Sequence, residues 1–229
     1  MPTFRYFGHS ACELIHEDTR LLIDPFLTGN PLAPVTAEEV EPTAILITHA
    51  HNDHMGDSLR IAKNTGAQIV AIFEIATWFG KQSIPAHGMR IGGAHTFPWG
   101  WVKMTPAWHG STYLDEQDRM QPMGTPAGFL IRLGDRLLYH AGDTALFGDM
   151  ALIGRQQIDL ALLPIGDNFT MGPEDALEAV KLLNPKTVVP IHYNTFPVIA
   201  QDPHAWARRV EAETNSRCVV VTPGETLYY

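Results

Sequence analysis

Three histidines and an aspartate crowd into six consecutive positions, His49-Ala50-His51-Asn52-Asp53-His54. The alternation of His49 and His51 lets two imidazoles approach one cation from different directions. The adjoining Asp53 and His54 can then turn toward a second cation. Nitrogen and carboxylate donors in this mixture suit Zn or Mn, and also Ni or Fe. The plainer alternative is a histidine-rich surface turn in which Asp53 caps the helix after Met55. Burying three imidazoles and a carboxylate without an ion is costly, which favours the metal reading. The motif alone supplies ligands for only part of two sites, so other donors must come from further along the chain.

The elements that would position those donors share a pattern. Continuous apolar segments read as buried strands, and polar residues follow their ends. Thr43–Ile47 runs into His49, Val102–Pro106 into His109, Leu137–Tyr139 into Asp143 and Val188–Ile191 into His192. Side chains at the carboxyl ends of strands can converge on one rim of a sheet. A faint internal repeat adds to the pattern. Ala11–Ile15 and Arg20–Asp24 flank a turn at Glu17-Asp18-Thr19, and Phe129–Leu133 and Arg136–His140 flank Gly134-Asp135. Both are hairpin patterns. Each is followed by an apolar strand (Ala44–Ile47, Leu160–Leu163), a helix-like segment and another strand (Gln68–Ile72, Thr187–Ile191). The second helix is the clearer: Pro173 suits a first turn, Glu174 and Asp175 suit its positive end, and Ala176, Leu177, Val180 and Leu183 form an apolar stripe. These elements predict an α/β single domain, a four-layer αββα sandwich with two similar halves, roughly 1–115 and 116–229.

The segment Thr48–His54, followed in order by His109, Gly142-Asp143-Thr144 and His192, resembles the signature of the metallo-β-lactamase superfamily. Gly8-His9-Ser10, Leu22–Phe26, Gly166–Pro173 and Pro190–Asn194 are similar to its compact branch of metal-dependent hydrolases typified by L-ascorbate-6-phosphate lactonase. The resemblance spans nearly the whole chain and implies a ligand set. His49, His51 and His109 would hold one divalent metal ion, Asp53, His54 and His192 the second, and Asp143 would bridge them. It also implies hydrolysis by a metal-bridging hydroxide, with Asp143 fixing the metal pair and Asp53 holding or receiving the water's proton. A lactone or another ester-type small molecule is the expected substrate.

Other residues are open to two readings each. Asp24 is either a buried carboxylate orienting a ligand loop or a turn residue before Pro25. His9 either faces substrate or is structural. Asn168 and Thr170 could donate to substrate, although Thr170 also fits the start of a helix. Tyr193 could polarise a carbonyl or simply pack. His140 could support Asp143. His16, His87, His95 and His204 follow no pattern and are expected in solvent, whereas Trp99, Trp101 and Trp108 read as packing residues. Residues 112–127 read as a flexible loop at the site mouth or as a subunit contact.

Composition narrows the function classes. At 229 residues, 45% hydrophobic and 18% charged, the chain is globular rather than disordered. A net charge of -9 makes nucleic acid a poor partner. The amino terminus lacks the basic and apolar segments of a signal peptide, and no segment approaches a membrane span, so the cytoplasm is the expected location. Cys12 and Cys218 sit in apolar runs and are expected as buried free thiols. A phosphodiesterase of the same fold is the alternative activity. A non-catalytic metal-binding or sensing protein is the alternative from another class. The resemblance allows a homo-oligomer, which nothing in the sequence specifies.

Overall fold

A computed structural model describes all residues 1–229. The strands are β1 (Thr3–Gly8), β2 (Ala11–His16), β3 (Thr19–Ile23), β4 (Ala44–Ile47), β5 (Gln68–Ile72), β6 (Ala86–Met89), β7 (Ala94–Phe97), β8 (Gly100–Pro106), β9 (Thr112–Leu114), β10 (Met120–Pro122), β11 (Ala127–Leu133), β12 (Arg136–His140), β13 (Leu160–Pro164), β14 (Thr187–Ile191), β15 (Arg217–Cys218) and β16 (Thr226–Tyr228). The helices are α1 (Asn52–Met55), α2 (Ser58–Thr65), α3 (Phe73–Lys81), α4 (Met150–Gly154), α5 (Pro173–Leu183) and α6 (Pro203–Glu213). Two seven-stranded sheets form, ordered β16-β1-β2-β3-β4-β5-β6 and β15-β14-β13-β12-β11-β8-β7. Each begins as antiparallel hairpins and continues as parallel strands.

Period-two alternation explains why the strands stack in layers. Phe129, Ile131, Leu160, Leu162, Val189 and Ile191 join the core between the sheets. Their neighbours Leu130, Ala161, Leu163 and Val188 point the other way, into a second core beneath the helices. There they meet Leu177, Val180 and Leu183 of α5 and Trp206 and Val210 of α6. Strands apolar on both faces need cover on both, and the αββα sandwich supplies it. Both cysteines are buried and free. No helix is long and apolar enough to cross a membrane.

Two expectations need correcting. The chain passes from the first sheet to the second between Met89 and Ala94, earlier than a boundary near 115, and β16 returns to pair with β1. Most of β7 is exposed and lacks the apolar run that would mark it as a strand. Within residues 112–127, read as a flexible loop or a subunit contact, β9 and β10 form a hairpin that the sequence reading did not assign. It is held by the side chain of Asn52, whose Nδ2 donates to Leu114 O (2.8 Å) and whose Oδ1 accepts from Leu114 N–H (3.0 Å).

Strand register brings the polar loops to one rim. Cys12 pairs with Ile23 and Ile23 with Leu46, so the β1–β2 turn, Asp24 and the motif after β4 lie together. In the second sheet Pro106 pairs with Ala127 and Phe129 with His140, while β12, β13 and β14 run parallel. The loops carrying His109, Asp143 and His192 therefore emerge on one edge. Two backbone bonds stitch the rims: His192 N–H donates to His9 O (2.7 Å) and Ala127 N–H to Thr48 O (3.0 Å).

Candidate metal centre

Three residues at these strand ends adopt left-handed backbone: His9 (φ 57°), Asp24 (φ 45°) and His192 (φ 55°). Asp and His tolerate this region better than most residues, and each turn aims a side chain back over the rim. Gly56 (φ 43°) closes the motif, and a Cβ there would run into the Pro25 carbonyl. Gly142 (φ 65°) lets the Asp143 loop pass beside Ala127, whose carbonyl would lie 2.7 Å from an added Cβ.

The expected ligands all converge. His51 Nδ1 lies 2.9 Å from His49 Nε2 and 3.2 Å from His109 Nε2. Asp143 Oδ2 lies 3.0 Å from His192 Nε2, 3.3 Å from His54 Nε2 and 3.6 Å from His109 Nε2. Asp53, His54 and His192 form one potential metal-holding group together with His9; His49, His51 and His109 form a second, and His49, His54 and Asp143 a third. His54 Nε2, His192 Nδ1 and Asp143 Oδ1 are buried without a hydrogen-bond partner. Nitrogens bound to one tetrahedral ion at about 2.0–2.1 Å lie roughly 3.3 Å apart, close to the spacing in the His49–His51–His109 trio. Orphaned buried donors and this spacing both fit a metal.

Neighbouring groups prepare the donors. Asp24 is fully buried and accepts from Thr48 N–H (2.8 Å), Thr48 Oγ1–H (2.6 Å) and His54 Nδ1–H (2.8 Å). Having given its one proton to Asp24, the Thr48 hydroxyl accepts from His49 Nδ1–H (3.0 Å). One carboxylate thereby fixes His49 and His54 with Nε2 toward the cluster. His9 is also fully buried; its Nε2–H donates to Asp53 (3.0 Å) and its Nδ1 accepts from the Thr195 hydroxyl (2.9 Å). Thr195 went unnoticed in the sequence, and its place four residues after β14 was the only signal. His140 donates to Ser10 O (3.3 Å) and accepts from Gly142 N–H (3.1 Å), tying the Asp143 loop to the β1–β2 turn.

The electrostatics suit cation binding. Burial would raise Asp143, but His192 and His54 outweigh it and hold the carboxyl well below its ordinary range. Burial likewise opposes ionisation of Asp53, yet the bond from His9 and the charge of His54 hold it low. Burial, helped by adjacent imidazoles, keeps His49, His51 and His109 below the ordinary histidine value. His9 is lowered to about 4, chiefly by burial. His54 is the exception: despite burial, Asp143 and Asp24 push it well above the ordinary value. Ionised carboxylates and neutral imidazoles are the forms a metal requires.

A cavity of about 420 Å³ opens on the cluster. It is lined by His51, Asp53, His109, Asp143 and His192 together with the apolar Phe169, Phe196 and Val198. Asn168 is exposed and Thr170 half-buried on either side of Phe169, with neither side chain on the cavity wall. Tyr193 lies in the core beneath the helices, where burial pushes its hydroxyl up to about 12. The apolar wall was missed in the sequence, because isolated aromatics in polar loops look like packing residues. Trp108, read as a packing residue, is 68% exposed beside His109, which lines the cavity. Trp99 does stack, on Phe97 at 4.5 Å. His95 and His204 are exposed and His16 and His87 half-buried.

Comparison with known proteins agrees with this geometry. Residues 19–193 match the beta-lactamase superfamily domain. A UPF0173 metal-dependent hydrolase of Bacillus cytotoxicus is 54% identical over 224 residues, 97% of each chain. One from Thermus thermophilus is 52% identical over 227 residues, 99% of each. Among solved structures, the metallo hydrolase Igni18 of Ignicoccus hospitalis superposes with a TM-score of 0.90 at 39% identity, covering 99% of this chain and 97% of that one. With the histidine–aspartate cluster on the rim of its αββα sandwich, the chain belongs to the beta-lactamase superfamily and is a UPF0173-type metal-dependent hydrolase.

Proposed function

We propose that the protein is a dinuclear hydrolase that opens a lactone or cleaves another ester-type small molecule. His49, His51 and His109 would hold one divalent ion and Asp53, His54 and His192 the other, with Asp143 between them. Zinc or manganese best suits this donor set; nickel or iron could use the same ligands. Two such ions would acidify a shared water and polarise the substrate carbonyl.

The observation that carries the reading is the position of Asp143. Its Oδ2 lies within 3.6 Å of imidazole nitrogens from both ligand sets, and its Oδ1 has no partner. The chain's own groups then divide the work. Asp53 borders the cavity with its carboxylate held ionised by His9, and so accepts the hydrogen bond of the attacking water and orients it. His9 and Thr195 hold Asp53 in place from behind. Asp24 and Thr48 keep His54 and His49 in the correct tautomer.

The test combines elemental analysis with a panel of lactone, ester, thioester and phosphodiester substrates. About two equivalents of metal and turnover of lactones or esters are expected, with Asp143→Ala losing metal and activity together and His51→Ala as a control. Preferential phosphodiester cleavage would replace the proposed substrate class. Two tightly bound ions with no turnover of any substrate would point to a binding or sensing role instead. Full turnover by metal-depleted Asp143→Ala would refute the mechanism.

A further inference from the structure

The cavity walls differ sharply in chemistry. Phe169, Phe196 and Val198 line the same space as the polar cluster, and no lysine or arginine lines it. Phe169 is 53% exposed and Val198 55% exposed, so two large apolar side chains are left in water at the mouth. Exposed apolar groups gathered at a cavity mark binding surfaces more often than isolated ones do.

This wall is preformed. Phe196 stands edge-on to His9 at 5.5 Å and lies 6.4 Å from Phe26. Val198 sits in the short 3-10 turn Pro197–Ile199, anchored by the fully buried Ile199 and by Asn194 N–H donating to Ile199 O (3.0 Å). Phe169 rides a turn in which Asp167 and Asn168 are both left-handed (φ 62° and 50°), closed by Asp167 N–H donating to Met171 O (3.1 Å). The two loops follow β13 and β14, and the second is the loop that carries His192. Metal ligand and apolar wall are therefore held by one rigid frame.

We propose that this wall is the subsite for an uncharged apolar group, aliphatic or aromatic, attached to the carbonyl under attack. The site then selects neutral hydrophobic lactones or esters over phosphorylated or carboxylated ones. The proposal rests on the hydrolase reading above and names its substrate class. An apolar group placed there loses contact with water against Phe169, Phe196 and Val198. A phosphate or carboxylate in the same place would lose part of its hydration with no cationic side chain on the wall to meet it.

The test uses alkyl hydroxamates, which chelate metal whatever bond the enzyme cleaves, titrated calorimetrically into metal-loaded protein. A parallel series of lactones carries the same alkyl tails, from methyl to octyl. Kd is expected to fall with each added methylene, by up to about 4-fold where the group is fully buried. A hydroxamate ending in a carboxylate or phosphate should bind at least about 10-fold more weakly than its alkyl counterpart. The double variant Phe169→Ala/Val198→Ala changes only exposed side chains and should flatten the series at unchanged melting temperature. Val198→Lys should recover the charged tail. A Kd independent of chain length, equal binding of the charged tail, or an unchanged series in the double variant would each overturn the subsite. If the gradient appears but no lactone or ester is turned over, the subsite stands and the proposed reaction falls. If lactones turn over regardless of tail, the reaction stands and the subsite falls.

Discussion

Replacing Asp24 by asparagine tests how one buried carboxylate governs the cluster. Asp24 accepts three bonds: Thr48 N–H at 2.8 Å, Thr48 Oγ1–H at 2.6 Å and His54 Nδ1–H at 2.8 Å. An amide of the same shape has one acceptor oxygen. If that oxygen faces Thr48 N–H, the NH2 group confronts the Thr48 hydroxyl and His54 Nδ1–H. His54 can relieve the clash only by moving its proton to Nε2, the atom that lies 3.3 Å from Asp143 and faces the cluster. The Thr48 hydroxyl, no longer drawn to Asp24, turns its proton toward His49 Nδ1 at 3.0 Å, and His49 must then also carry its proton on Nε2. Loss of such a supporting partner typically weakens metal binding by about 10–100-fold per site, or roughly 1.4–2.7 kcal/mol. Asp24→Asn should therefore bind both ions more weakly. Thr48→Val removes the hydroxyl that accepts from His49 and donates to Asp24 but leaves the Asp24–His54 bond, and should weaken the proposed ion of His49, His51 and His109 more than the other. Competition against a chromophoric chelator resolves the two steps. An Asp24→Asn protein that titrates like the parent would refute the argument.

Three further outcomes follow from the same structure. Gly56→Ala places a Cβ against the Pro25 carbonyl at a φ of 43° and should cost about 2–4 kcal/mol in chemical denaturation; a change below about 0.5 kcal/mol would contradict the close packing. Asn52→Ala removes both bonds to Leu114 and should speed amide exchange in residues 112–122, an effect of about 1–2 kcal/mol, whereas an unchanged exchange rate would show that the hairpin is held by other contacts. In the metal-free protein, His9 (about 4) and His49, His51 and His109 all sit below the unfolded histidine value. Their stabilising contribution is complete above pH 6.5 and is lost as pH falls toward 4, because the unfolded chain then binds more protons. His54 has the opposite sign: its contribution is complete below pH 6.5, so it adds no slope in that window. Thermal melts of chelator-treated protein should thus fall between pH 6.5 and 4, and a flat profile would show that burial does not hold these imidazoles neutral.

Much of this arrangement was legible because strand chemistry and ligand chemistry leave separate marks. Leu160–Leu163 and Val188–Ile191 are apolar on both faces, which few structures other than a covered parallel strand require. His109, Asp143 and His192 were visible because each lies just beyond the end of a strand. Less legible were elements whose stability comes from their partners. β7 and β16 are largely exposed and carry no apolar run; they exist by pairing with β8 and β1. The β9–β10 hairpin depends on Asn52, whose amide imitates a neighbouring strand's backbone.

The apolar wall was the least legible part, for a reason intrinsic to sequence. Phe169 and Val198 follow different strands and line one cavity because β13 and β14 are parallel neighbours whose following loops share a rim. In the one-dimensional chain each is a single apolar residue in a polar loop, indistinguishable from an incidental surface residue. Metal ligands escape this ambiguity because histidine and aspartate announce their chemistry by type. An apolar wall announces itself only by exposure, which exists after folding and not before. Residues proposed to select a substrate are therefore less visible in sequence than those proposed to hold metal: Phe196 and Val198 lie on the loop that carries His192, and Phe169 on the neighbouring loop after β13. The loops on the rim that carries the proposed ligands are thus the place to look for side chains that would choose the substrate.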